Sequence, residues 1–214
     1  MNTTGSTARV FAEDDARTRA HFDALARAHG GTVSAVDWSS RASQEVRFSV
    51  LASVGDLRGS RVLDVGCGQG DLCAWLERQG IDCDYSGVDL SPAMVDLACA
   101  RFPKRSFAVS NLLEEDPAGG PFGFVLASGI FYLRRTSPDE YLRSMVERMF
   151  ACCSRGLAFN SLSSWGTDPG DGVEFCADPL RTLSMASRLS EKIALRHDYH
   201  PRDFTILMHK GVER

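Results

Sequence analysis

The stretch Val62-Leu63-Asp64-Val65-Gly66-Cys67-Gly68-Gln69-Gly70-Asp71-Leu72 decides how the rest of the chain is read. An apolar run carrying one carboxylate enters three alternating glycines, and helix-forming residues follow from Leu72 to Arg78. Glycine admits positive φ and lets a ligand approach the backbone with no Cβ in the way. The unpaired N–H groups that open the next helix suit a polar or anionic ligand group. Strand, glycine turn and helix, in that order, describe the nucleotide-binding corner of a doubly wound α/β sheet.

The glycine spacing then selects among nucleotides. The nicotinamide fingerprint G-x-G-x-x-G wants its third glycine at position 71, which is Asp71; here the third glycine is Gly70. Asp64, two residues before Gly66, suits a cationic ligand better than a pyrophosphate. No lysine lies near the loop, which excludes the Walker A pattern. A second stretch, Tyr85-Ser86-Gly87-Val88-Asp89-Leu90-Ser91-Pro92-Ala93-Met94, supplies a short β-type run ending in Asp89. Its distance from Gly66 is close to the ~20 positions expected for a ribose-binding carboxylate. Ser91 is placed to cap the next helix, with Pro92 at the first position, where a missing N–H is harmless.

These two stretches together resemble the class I S-adenosylmethionine-dependent methyltransferases, whose first motif reads much like Asp64-Val65-Gly66-Cys67-Gly68-Gln69-Gly70. The resemblance runs from Val62 to about Leu133 and more loosely to the C-terminus. It implies an α/β fold: a doubly wound, Rossmann-like seven-stranded sheet, last strand antiparallel, with helices on both faces and an N-terminal helical lid. It implies S-adenosyl-L-methionine as cofactor. The cofactor-binding candidates it yields are Asp64, Gly66, Cys67, Gly68 and Gly70 in the loop, and Asp89, Leu90 and Met94 around the second acid. Ser128, ending the fourth strand, is a further candidate. Asn111 and Leu112 follow the third strand, where relatives carry an acidic residue that binds the adenine amine. The Asn111 side-chain carbonyl can accept the same hydrogen bond. Relatives also carry an aspartate where Gly123 sits.

The rest of the chain follows the same alternation. Helical patterns cover Val10 to His29 and Ser39 or Ser40 to about Val54, ahead of the first strand. They form the expected lid, 10–54, of a single cofactor-binding domain, 10–214, with residues 1–9 as a disordered tail. Within the lid, Arg41 is a candidate to hold the cofactor carboxylate, and Trp38 to stack on adenine or face the sulfonium. A solvated helix start with Trp38 packed on the sheet edge is the alternative. Ser137-Pro138-Asp139-Glu140 reads as a capping box that starts a helix. Asn160 ends the fifth strand beside the expected sulfonium. Ser163 to Gly172 is a long glycine-rich loop of the kind that serves as a lid.

Methyl transfer from a sulfonium needs alignment above all. A general base matters only where the acceptor carries a proton at neutral pH. The catalytic candidates are Asn160, Tyr132 and His197; among the five histidines, His21, His197 and His200 are the ones placed to act as bases. His197-Asp198-Tyr199-His200 lacks a third ligand nearby, so no metal is expected.

Composition bounds the partners. A net charge of -4 with no basic stripe argues against nucleic acid. The longest apolar stretch, Val125 to Leu133, is too short to span a bilayer. Seven cysteines without C-x-x-C, two of them the adjacent Cys152 and Cys153, point to reduced thiols in a cytoplasmic protein; a monomer or homodimer is expected. Asn-Pro-Pro-Tyr and Pro-Cys, which would mark methylation of DNA bases, are absent. The leading expectation is a methyltransferase acting on a small molecule, as in natural-product tailoring. One alternative keeps the cofactor and closes its own amine onto its γ-carbon, giving azetidine-2-carboxylate and methylthioadenosine, as synthases of this fold do. Another is cofactor binding without catalysis.

Overall fold

The structure, a computed structural model, describes residues 4–36, 40–165 and 172–211. Seven strands form one sheet: β1 (Arg61–Val65), β2 (Asp84–Asp89), β3 (Ser106–Val109), β4 (Phe122–Ala127), β5 (Cys153–Leu162), β6 (Lys192–Arg196) and β7 (Asp203–His209). Their order is β3-β2-β1-β4-β5-β7-β6. Strands β1 to β5 pair in parallel, and β7 runs antiparallel between β5 and β6. This is the Rossmann-like sheet with a reversed last strand that the sequence predicts. The helices are α1 (Thr4–His29), α2 (Arg41–Ala52), α3 (Asp71–Arg78), α4 (Pro92–Arg101), α5 (Pro138–Cys152) and α6 (Pro179–Ala186), with a 3-10 turn at Val33–Val36.

Parallel strands covered on both faces read as apolar runs, and β1 shows how the alternation is used. Val62 packs with Trp75, Leu76, Phe48 and Leu126 under α2 and α3. Leu63 and Val65 pack on the other face with Met145, Met149 and Phe159 under α5. Each such side chain contributes about 1.5–3 kcal/mol on burial. Asp64 is the buried polar residue of this strand, whose exposed first residue is Arg61.

The order of strands reverses direction at β1, so a crevice opens beyond the carboxyl ends of β1 and β4. Strand β7 runs the opposite way, so its first residue, not its last, reaches that edge: Asp203 lies opposite Leu162 at the end of β5.

Local caps position the site elements. The Ser91 hydroxyl accepts the Met94 N–H at 3.2 Å and starts α4 behind Pro92. Ser40 accepts the Ser43 N–H at 3.2 Å and starts α2. The expected capping box at Ser137 does not form, since its side chain makes no cap bond. Pro138 and the acidic first turn, Asp139 and Glu140, start α5 instead. Helix α1 begins at Thr4, whereas the sequence reads residues 1–9 as a disordered tail. No proline interrupts 4–9, and extending an existing helix by a turn needs no new nucleus.

Candidate functional site

A cavity of about 500 Å³ follows the carboxyl edge of the sheet from the end of β2 to the start of β7. Its floor is the glycine loop. Gly66 and Gly68 both hold positive φ, 74° and 52°. A Cβ at Gly66 would collide with Ile130, and one at Gly68 would come within 2.8 Å of Val36. The backbone there is bare because neighbouring elements close on it. The carboxylate of Asp89 accepts the Gly68 N–H at 2.8 Å through Oδ2 and the Ser91 N–H at 2.9 Å through Oδ1. Burial raises its pKa above the usual carboxylate range, and the N–H groups of Ser91 and Gly68 oppose that rise.

Asp64 is buried behind the loop. Burial pushes its pKa up to about 7, against the Tyr85 hydroxyl, which donates to Oδ2 at 2.6 Å. Cys67 lines the same floor; burial and the nearby Asp89 charge raise its pKa, so the thiol stays protonated.

Helix α1 covers the nucleotide end. Asp23 accepts from the Ser91 hydroxyl at 2.5 Å and the Ala93 N–H at 3.3 Å. Asp15 accepts from Arg135 at 2.6 Å and from Asn111 Nδ2 at 2.9 Å. Gln69 accepts the Gly31 N–H at 2.8 Å and donates to the Thr32 carbonyl at 2.7 Å. Arg135 lies 3.5 Å from the ring centroid of Tyr141, whose pKa is pushed up to about 12 by burial.

The other end of the cavity is built by α2, β5 and the loop before β7. Arg47, on the buried face of α2 with Gln44, Phe48 and Leu51, ion-pairs with Asp203. It also donates to the Ser43 carbonyl at 2.6 Å. Arg202 ion-pairs with Glu174 at the rim. The Asn160 side-chain carbonyl accepts the Gly129 N–H at 2.7 Å, which fixes the amide orientation. Four buried polar atoms on this lining, Ser110 Oγ, Ser128 Oγ, Asn160 Nδ2 and Ser161 Oγ, have no hydrogen-bond partner among the described residues. Buried polar groups are ordinarily satisfied, so these four stand out beneath the lining.

Of the residues that the sequence singles out, Asp64, Gly66, Cys67, Gly68, Asp89, Leu90, Asn111, Leu112, Ser128, Tyr132 and Asn160 line this cavity together. Four others do not. Gly70 (φ 81°) is the N-cap of α3, and a Cβ there would press on Phe102. Met94 is fully buried under α1 with Ala26 and Ala35. Arg41 is exposed in the first turn of α2, where burial starts only at Gln44. His197 stacks between Trp165 and Phe204, and its Nε2 is 2.7 Å from Ser163 Oγ, so it buttresses a loop. Trp38 lies outside the described residues, as do 166–171 of the long loop. The Asn111 carbonyl accepts the Leu113 N–H at 3.1 Å and the amide faces Asp15 and Glu114, not the arrangement its position suggests.

Sequence reasoning passed over Arg47, Ser161 and Asp203. For Arg47 a signal existed: an arginine between Gln44, Phe48 and Leu51 at helical spacing shares their buried face. For Ser161 and Asp203 there was none, since only the β5–β7 pairing brings them to this edge.

Among the described residues no helix is long and apolar enough to cross a membrane, and no group of metal-ligating side chains gathers. All seven cysteines are unpaired. The family described as "Methyltransferase domain" matches residues 62–156. Rv1506c of Mycobacterium tuberculosis, named as a methyltransferase, is 33% identical over 158 residues, covering 69% of this chain and 92% of that protein. The magnesium-protoporphyrin O-methyltransferase of Rhodobacter capsulatus is 36% identical over 153 residues, covering 64% of this chain and 66% of that protein. Among solved structures, magnesium protoporphyrin IX methyltransferase from Synechocystis PCC 6803 with bound SAH superposes with a TM-score of 0.65 at 15% identity. That match covers 92% of this chain and 100% of the other and speaks to the fold.

Proposed function

The chain belongs to the class I S-adenosylmethionine-dependent methyltransferase family, and from that premise we propose that it is an O-methyltransferase of a small molecule. The cofactor is S-adenosyl-L-methionine, which supplies an electrophilic methyl group on a sulfonium. The residues fit it. The tight turn at Gly66 and Gly68, where Ile130 and Val36 leave no room for a Cβ, brings bare loop backbone to the cavity floor, and the Asp89 carboxylate lies beside it.

The roles follow from chemistry. Asp89 has lone pairs left after binding two N–H groups and accepts the ribose hydroxyls. Asp64, buried without a cation beside it, takes the ammonium group. Leu112 and Phe22, both on the cavity lining, would pack against the adenine. Asn160 and Ser128 flank the reacting methyl. Alignment by such a rigid lining contributes roughly 7–11 kcal/mol to displacement reactions.

One observation carries the reading: the cavity does not end at Asn160. It continues to Ser161, His200 and Arg202 at a partly exposed rim, which leaves space for an acceptor beyond the cofactor. The oxygen acceptor is supported by the magnesium-protoporphyrin O-methyltransferase similarity. A tailoring step in small-molecule biosynthesis is the setting this suggests.

The test is mass spectrometry of purified protein with cofactor alone and with a deproteinised metabolite extract of the host organism. S-adenosylhomocysteine formed only with the extract is the expected result. Methylthioadenosine formed from cofactor alone would overturn it in favour of cyclisation to azetidine-2-carboxylate. Calorimetry of Asp89→Ala, with a Kd at least about tenfold weaker expected, checks the ribose contact.

A further inference from the structure

Resting on the cofactor assignment above, we infer that Gln44 of α2 binds the ammonium group of S-adenosylmethionine through its side-chain carbonyl. Most of the cavity is accounted for by other parts of the cofactor. Asp89 marks the ribose, and beyond it Leu90, Leu112 and Phe22 give an apolar slot for the base. Ser128 follows β4 and Asn160 lies near the end of β5, on the side of the methyl group. What remains is a polar recess between α2 and the first turn of α3, lined by Ser43, Gln44, Gly68 and Asp71. The amino-acid arm of the cofactor belongs there.

The side chains of this recess differ in what they have left to offer. Ser43 Oγ accepts from the Arg47 guanidinium at 2.6 Å. Asp71 is engaged on both oxygens: Oδ1 takes Arg101 at 2.7 Å, and Oδ2 takes Gln69 Nε2 at 3.1 Å and Gln44 Nε2 at 3.4 Å. Arg101 balances its charge as well. Gln44 is different. A side-chain amide carries its donor and its acceptor at opposite corners, so with the NH2 turned to the Asp71 carboxylate the carbonyl faces away from it. Gln44 is only 4% exposed, yet Oε1 takes no hydrogen bond among the described residues. Unlike Ser110 Oγ or Ser161 Oγ it is not sealed in, and Gln44 lines the cavity.

A nearly buried acceptor without a donor is uncommon in a folded protein, and an ammonium group brings donors only. The residue type suits the place. A carboxylate at position 44 would meet Asp71 and be repelled, whereas the amide satisfies Asp71 with one corner and keeps an acceptor at the other. Asp64 approaches the ammonium from behind the glycine loop and Gln44 from α2, and an ammonium has hydrogens for both. Arg47, one turn along the same buried face of α2, pairs with Asp203 at the head of β7. A cofactor that engages Gln44 thereby steadies the opposite rim of the cavity.

The experiment is calorimetry of the intact protein with S-adenosylhomocysteine, which keeps the ammonium group, and with its deamino analogue, in which hydrogen replaces the amino group. The quantity read is the ratio of the two Kd values, in which damage common to both ligands cancels. Gln44→Met has nearly the same length and no acceptor. It should weaken S-adenosylhomocysteine by about tenfold or more and leave the analogue within about twofold. Gln44→Asn draws the acceptor back by one methylene and should move the ratio in the same direction. A third measurement needs no variant: in the parent protein, amide exchange across 41–52 should slow more with S-adenosylhomocysteine than with the analogue. An unchanged ratio in either folded variant, or equal protection of α2 by both ligands, overturns the contact and leaves the cofactor assignment standing. A parent protein that binds neither ligand overturns both.

Discussion

Tyr85 on β2 donates its hydroxyl to Asp64 on β1 at 2.6 Å, across a parallel ladder that pairs Tyr85 with Val62. That bond holds a buried carboxylate in place without neutralising it. Burial outweighs the bond, and the Asp64 pKa stands at about 7 instead of 3.8. A raised carboxylate pKa means the folded protein binds the proton more tightly than the unfolded chain. Stability from this group is therefore full below pH ~4 and is lost as pH climbs to about 7. Asp64→Asn should raise the Tm of the ligand-free protein at pH 8 by a few degrees, on the order expected for a protein of this size. The gain should shrink as pH is lowered towards 4. Differential scanning fluorimetry across pH checks both the sign and the window.

If Asp64 takes the cofactor's ammonium group, as proposed, the same proton governs cofactor binding. An ammonium group pairs with ionised Asp64, so affinity should fall as pH drops below about 7, by roughly tenfold per unit. Isothermal titration of S-adenosylhomocysteine, which carries the same ammonium group, reads this at pH 6, 7 and 8. A flat profile would remove Asp64 from the ammonium site.

Two glycines with the same sign of φ should respond differently to alanine. Gly66 (φ 74°) has Ile130 where a Cβ would go, while Gly59 (φ 63°) faces open space. Gly59→Ala should lose about 1 kcal/mol from backbone strain alone and keep its cofactor affinity. Gly66→Ala should lose more stability and weaken cofactor binding by at least about tenfold, since the loop must shift. Urea denaturation and calorimetry separate the two effects.

The Arg47–Asp203 pair joins α2 to β7 with both partners buried. Arg47→Met or Asp203→Leu alone leaves a buried charge and should cost about 3–5 kcal/mol. The double variant should be less damaged than the sum, because neither charge is then left over. Chemical denaturation of all four proteins closes the cycle.

Asp15 ties α1 to Arg135 and Asn111. Asp15→Ala should leave Arg135 stacked on Tyr141 but without its anion, loosening α1. Faster amide exchange across α1, with β1 and β4 unchanged, is the expected signature in hydrogen–deuterium exchange.

What the sequence disclosed depended on how local the determinants are. The β1–α3 corner and Asp89 were readable because glycine freedom, a strand end and a helix cap are decided within about ten residues. Met94 misled because its apolar side chain near a helix start suits a ligand wall and a core equally, and α1 claims it as core. His197 and His200 are three residues apart, and nothing in their spacing says which faces the cavity. The β6–β7 hairpin decides it by stacking His197 on Phe204 and turning His200 to Arg47. Asn111 shows the same limit in reverse: its place in the chain was right, but Asp15, far away in sequence, sets how its amide turns.

The reversed β7 gives the sheet an unusual division of labour. The parallel strands bring their lining residues at or near their carboxyl ends, as Asp89 closes β2 and Asn160 lies near the end of β5, where the proposed cofactor sits. The last strand delivers them before it begins, in a short hairpin bend at 197–202 on the far flank. Chain between neighbouring antiparallel strands tolerates changes of length and identity that a glycine loop under a helix does not. On the proposed reading, preference for the methylated partner would be free to drift, or to be re-engineered, by exchanging that bend alone.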